Sequence, residues 1–267
     1  MRTRIISGAV LTVVLVAAVA GGAISMFVLS LLISCLGMYE LYKVVGIEKC
    51  PLGFAGYALA LAYYVLLWFD KLEYMEYFCV ACGILIMFVY VCSFKTKKAS
   101  QAAFALLGIF YVAIPLSFLY RIRIIEKYGI YVFILLFVCS WIADTLAYFT
   151  GVNFGKHKLV PNLSPKKSVE GAIGGVAGAA IVGLIYGIVL HNVLGINSAA
   201  PFMIISGVGA FISIFGDLAA SAIKRNYDVK DYSNLIPGHG GILDRFDSMI
   251  FVAPIVYIGA KLLMPLM

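Results

Sequence analysis

Toward the C-terminal end of the chain, the stretch "IPGHGGILDRFD" (residues 236–247) sets His239, Asp244, Arg245 and Asp247 within nine positions. Asp244 and Asp247 are three residues apart, so on a helix they share one face. Two carboxylates facing one way attract a cation, and Mg2+ is commonly held by one or two carboxylates together with substrate phosphates. The preceding Pro237, Gly238, Gly240 and Gly241 permit a sharp turn and a close approach of the backbone to a ligand. Backbone amides at the start of a helix attract anions. Together these features describe a phosphate–metal site. A capped loop whose charges are solvated at an interface has the same composition, so the pattern alone leaves both open.

Further carboxylates lie at membrane depth. Asp217 sits in "ISIFGDLAASAIKR", about seven residues or roughly 10 Å from Lys224. Asp144 sits in "CSWIADTLAYF", about five residues or roughly 7 Å from the end of its apolar run. Ionisable groups inside membrane helices are costly and face a cavity or a partner; a satisfied ion pair between helices is the plainer alternative. Asp217, Asp244 and Asp247 are the candidate metal ligands, with Asp144 and Glu170 as second-tier candidates.

Two basic clusters accompany them. "SPKKSVEG" (164–171) combines helix-start chemistry at Ser164 or Ser168 with Lys166, Lys167 and Glu170. "KRNYDVKD" (224–231) adds Lys224, Arg225, Lys230 and Asp231. Alone, such clusters bind anionic lipid headgroups. Beside three carboxylates they suit a polyphosphate, offsetting its charge and the charge that develops on a leaving pyrophosphate. His239 fits a phosphate donor or general acid, and equally a loop histidine bonded to backbone. Gly171, Gly174, Gly175 and Gly178 have the spacing of a close helix–helix contact. Neither a GxxxxGK[ST] phosphate loop nor a GxSxG nucleophile context occurs. Cys79 and Cys82 form a lone CxxC without the second pair of ligands that a metal site needs.

The elements that must position these groups follow from composition. The chain is 63% hydrophobic and 12% charged, with a mean hydropathy of +1.03; soluble domains carry about 45–50% apolar and about 25% charged residues. Residues 5–39, 51–69, 77–94, 99–120, 128–143 and 171–216 contain no Asp, Glu, Lys or Arg. A crossing helix needs about 20 mainly apolar residues, and an open sheet would leave backbone groups unpaired in lipid. The expected fold class is therefore all-α: a polytopic integral membrane protein. About nine crossing helices are expected, near 5–20, 23–42, 51–69, 77–93, 101–119, 129–149, 171–190, 201–222 and 248–265. Gly21 and Gly22 divide the first two. The N-terminal run resembles a secretory signal peptide, but no polar mature domain follows it, and retention as a first helix is expected.

Of the twenty Lys and Arg residues, all but Lys71, Arg121, Arg123, Lys127 and Lys261 fall on the side that carries the N-terminus. The excess of basic residues in cytoplasmic loops predicts a cytoplasmic N-terminus and an external C-terminus. Topology thus accounts for the net charge of +7, and no nucleic-acid partner is called for. The division expected is a scaffold of N-terminal helices (1–128, with room for dimer contacts) and a C-terminal catalytic region (129–267) with cytoplasm-facing polar loops.

The run Ser221–Asp247, "SAIKRNYDVKDYSNLIPGHGGILDRFD", resembles the signature of the phosphatidate cytidylyltransferases, also called CDP-diacylglycerol synthases. That pattern maps onto Ser221, Lys224, Arg225, Lys230, Asp231, Pro237, His239, Gly240, Gly241, Asp244, Arg245 and Asp247, without departure. The segment 144–171 resembles the family's second polar stretch, whereas the first 120 residues resemble it only in hydropathy. The resemblance implies that CTP and phosphatidic acid give CDP-diacylglycerol and pyrophosphate, in phospholipid biosynthesis. It also implies Mg2+, K+ as a second cation, and a homodimer in the inner membrane of the cell. Catalytic roles would fall to Asp217, Asp244, Asp247, Lys224, Arg245 and His239. Substrate phosphates would be bound by Ser164, Lys166, Lys167, Ser168, Lys224, Arg225, Lys230, Gly240 and Gly241. Two rivals remain: another CTP-dependent lipid enzyme, such as a polyprenol or phytol kinase, and an ion-coupled transporter built on Asp144 and Asp217.

Overall fold

The computed structural model describes residues 2–263, with side chains described from Ser7 onward. The side chains of Arg2 and Arg4, and the last two residues of the ninth expected span, lie outside that part. In chain order the helices are α1 (Arg2–Ala20), α2 (Ala23–Val44), α3 (Pro51–Trp68), α4 (Met75–Cys92) and α5 (Ala99–Arg123). They continue with α6 (Gly129–Phe154), α7 (Val169–Leu194), α8 (Ala199–Asn226) and α9 (Leu243–Leu263). Helices satisfy every backbone group within the segment, which is what a lipid environment demands. Among the described residues, eight are long and apolar enough to cross a membrane, and the apolar part of α1, Ser7–Ala20, is shorter. The protein is an all-α, multi-pass membrane protein.

Two details depart from the sequence expectation. The last helix starts at Leu243, five residues earlier than its apolar run. Leu243, Phe246, Met249 and Ile250 are all buried, so helical burial continues upstream through the charged turn. Asp244, Arg245 and Asp247 consequently lie in the first turns of α9. The second departure is a short antiparallel hairpin, β1 (Lys158–Val160) with β2 (Ser164–Ser168), ahead of α7. Strands this short carry no periodicity to detect.

The chain forms two compact units. The first comprises the residues up to Ser117 together with Tyr227–Arg245. Its core includes Met26, Met38, Leu41, Tyr42, Tyr63 and Tyr64. Two pairs of buried hydroxyls there are hydrogen-bonded, Tyr64 with Ser34 and Tyr63 with Ser117, both at 2.8 Å. α5 contains a π-helical segment, Gly108–Ala113, and the Tyr42 hydroxyl donates to the Ala105 carbonyl just before it at 2.7 Å.

The second unit comprises Phe118–Asn226 and the residues from Phe246 onward. Here α7 lies between α6 and α8. Gly171 and Gly175 face the α6 backbone at Ala147 and Ala143, and Gly174 and Gly178 face the side chains of Thr150 and Leu146, the close packing that their spacing implies. Val138, Ala143, Ala179 and Ala210 form a buried cluster among these helices. The sequence division near residue 128 differs from this one, because Tyr227–Arg245 folds with the N-terminal helices. Buried polar contacts from Glu40 hold it there.

Candidate active site

In the first unit, the glycine-rich turn is shaped by carboxylates on its inner side. Asp244 is buried, and its Oδ2 accepts the backbone N–H groups of Tyr232 and Gly241, both at 2.9 Å. From α2, Glu40 reaches the same turn and is 1% exposed. Its Oε1 accepts the Ile242 N–H at 2.9 Å and the Ser233 hydroxyl at 2.5 Å, and its Oε2 accepts the Leu243 N–H at 2.7 Å. A Cβ at residue 241 would stand 2.5 Å from the Glu40 carboxylate, so any side chain there would displace that carboxylate. Gly240 adopts a φ of +82°, in the left-handed region that glycine tolerates.

The Gly241, Ile242 and Leu243 amides at the start of α9 are therefore occupied by the protein's own carboxylates. The glycines accommodate Glu40 and Asp244, which changes the meaning first drawn from Gly240 and Gly241. His239 is anchored too: its Nδ1 lies 2.7 Å from the Ser7 hydroxyl of α1, which also donates to the Pro237 carbonyl at 3.1 Å. Arg245, Lys230 and Asp231 are exposed.

In the second unit, the hairpin and three helices gather a different set of charges. Lys167, on β2, places Nζ 2.5 Å from Asp217 Oδ2 on α8, and both side chains are partly open. Ser221, one turn on, donates to Asp217 Oδ1 at 3.4 Å. Asp144 of α6 is exposed and close enough to Lys167 and Asp217 for their charges to act on it. A Cβ at Gly216 would lie 2.9 Å from the Asp247 carbonyl and 3.0 Å from Ser248 Cα. α8 and α9 thus cross backbone to backbone beside Asp217 and Asp247. Asp247 is half-buried, and its Oδ1 accepts the Ser248 N–H at 2.7 Å.

The start of α7 is built locally. Ser168, not Ser164, is the N-cap, accepting the Gly171 N–H at 3.2 Å. Glu170 binds the hairpin entry: it accepts the His157 N–H at 3.2 Å, and His157 Nδ1 lies 2.6 Å from its Oε1. Lys166 and Arg225 are exposed, whereas Lys224 is buried to 9% exposure.

The family follows from sequence comparison. A model described as "Cytidylyltransferase family" matches residues 2–263. The chain belongs to the cytidylyltransferase family. It is similar to the phosphatidate cytidylyltransferase of Bacillus subtilis, 33% identical over 271 residues, covering 96% of each chain. The protein of that name from Staphylococcus saprophyticus is 32% identical over 268 residues, covering 97% of this chain and 98% of its own length. That of Thermotoga maritima is 40% identical over 172 residues, which span 64% of this chain and 61% of the Thermotoga protein.

For this cytidylyltransferase-family chain, the second unit gathers Asp144, Lys167 and Asp217 and sets Asp217 and Asp247 at one helix crossing. Among the described residues, no three His, Cys, Asp or Glu side chains come together as a metal-binding group. The donors still suit Mg2+, a hard cation that takes one or two carboxylates and completes its shell with water and substrate phosphates. Asp217 and Asp247 are partly open oxygen donors of that kind. Asp244 is a poorer donor, since one oxygen already serves two amides. Glu40 and Ser7 were missed in the sequence. A signal existed for Glu40, a single acid at the end of the uncharged run 5–39. Ser7, a hydroxyl in an apolar helix, had none.

Proposed function

We propose that the protein transfers the cytidylyl group of CTP to phosphatidic acid. A lipid phosphate oxygen forms a bond to the α-phosphorus of CTP while the bond to the β-phosphate oxygen breaks, releasing pyrophosphate. The attacking group belongs to the substrate, so no protein nucleophile is required. The protein then has to position two polyanions and neutralise them. The observation that carries this reading is the Lys167–Asp217 pair, part-open and beside Asp144, at the margin of membrane-spanning helices. The likeness to named phosphatidate cytidylyltransferases along nearly the whole chain supports it.

In this proposal Lys167 exchanges its partner Asp217 for substrate phosphate, with Lys166, Lys224 and Arg225 as further phosphate contacts. Asp217 and Asp247 would hold Mg2+, which when bound offsets the charge of the triphosphate. Asp144 is the candidate for a second, monovalent cation such as K+. Asp244 and the turn 237–243 hold the first turn of α9, and His239 fastens that turn to α1. We place the site at the cytoplasmic face of the inner membrane, consistent with the bias of basic residues, and the active form as a homodimer.

Purified protein incubated with labelled CTP, Mg2+ and phosphatidic acid tests the reading. CDP-diacylglycerol and pyrophosphate are expected. CDP with a phosphorylated alcohol would indicate a lipid kinase, and absence of lipid-dependent turnover would return the transporter reading.

A further inference from the structure

We propose that Glu40, on the N-terminal helix α2, is a positioning residue for the reaction, setting the direction of the first turn of α9. The inference rests on the proposed function only for its effect on turnover. A buried carboxylate is unfavourable unless its oxygens are well bonded, and Glu40 accepts from Ser233, Ile242 and Leu243. Two of these donors are amides at the start of α9, where a helix leaves N–H groups unpaired and favours a negative charge.

The usual solution is local: a Ser, Thr, Asp or Asn at the N-cap. Here Ile242 precedes the helix and has no polar side chain, while Asp244 turns back to Tyr232 and Gly241. The acceptor comes instead from about two hundred residues away. A local cap would stabilise the helix equally but would leave its direction free of α2. A cap borrowed from α2 fixes the α9 turn to the N-terminal helices, and the helix that this turn begins carries Asp244 and Arg245, with Asp247 one turn on. Gly241 is shaped to admit the same carboxylate, so the contact is built from both sides.

The test uses the full-length protein in detergent with Glu40→Gln, which keeps the size of the side chain but turns an N–H group toward an amide donor. Hydrogen exchange of the peptide spanning residues 239–246 should rise at least about tenfold, with α3 and α4 unchanged. Under saturating CTP, kcat should fall about 10- to 100-fold, as for misplacements of about 1 Å, with a smaller change in KM. Ser233→Ala, which leaves both amide bonds, should change neither by more than about twofold. If Glu40→Gln does not accumulate, Glu40→Asp, one methylene shorter, is read the same way. Local exchange unchanged, or raised equally in every helix, would overturn the inference, as would an unaltered kcat in an actively turning-over protein. If the wild-type protein showed no turnover, the functional reading would fail, and the exchange result alone would decide the role of Glu40.

Discussion

At the residue scale, the charge that most directly tests the site is Asp217. It is paired with Lys167 at 2.5 Å and lies beside Asp144. Asp217→Asn removes a negative charge without changing shape. Turnover is expected to fall by about 10²-fold or more, comparable to the loss of one preorganised electrostatic contact, while expression and melting temperature hold. Mg2+-dependent activity near the wild-type level would remove Asp217 from the metal assignment. This residue was legible in the sequence because a single carboxylate in an uncharged helix has few structural excuses. Glu40 obeys the same rule. Its position three residues before Lys43 also fits a surface pair at the helix end, and only the fold shows that it turns inward to the loop. His239 was ambiguous for the opposite reason: its partner, Ser7, lies more than two hundred residues away.

At the scale of elements, the crossing of α8 and α9 at Gly216 brings Asp217 and Asp247 into one neighbourhood. The atoms that a Cβ would meet are backbone, the Asp247 carbonyl and Ser248 Cα, so no side-chain rotation can make room. Gly216→Ala is expected to force the helices apart, costing about 1–3 kcal/mol. Thermal unfolding in detergent measures that loss, and turnover should fall by more than the unfolded fraction explains. If activity tracks the folded fraction alone, the crossing serves stability and not the site. Apolar length and glycine spacing foretold the helices and the tight seam of α7. The hairpin at 158–168 and the early start of α9 escaped notice. The first is too short for any period, and the second depends on burial of Leu243 and Phe246, which charge in the same turn conceals.

At the scale of the whole molecule, orientation is the property most open to direct measurement. Basic residues crowd the segments around Lys156–Lys167 and Lys224–Arg245, while the connection after α7 is plain. Alkaline phosphatase fused after Leu194 is expected to be active outside the cell membrane, and the same enzyme fused after Gly155 inactive. The reverse result would overturn the cytoplasmic placement of the proposed site. The two compact units divide the chain by packing and not at residue 128: α1 and α2 hold Tyr227–Arg245 through Ser7 and Glu40.

The sequence by itself determined the membrane class, the helical fold, the approximate spans, and the residue types from which a phosphate-handling site would be made. These are consequences of local composition: hydrocarbon selects long apolar helices, and a charge within one demands a reason. Tertiary structure decided which charges are partners and which amides are already occupied. Lys167 meets Asp217, Glu170 meets His157, and Glu40 caps a helix that begins two hundred residues later. Such pairings depend on how distant segments pack, and no local pattern encodes the partner of a carboxylate. Gly240 and Gly241 show the difference most plainly, since their room is filled by Asp244 and Glu40.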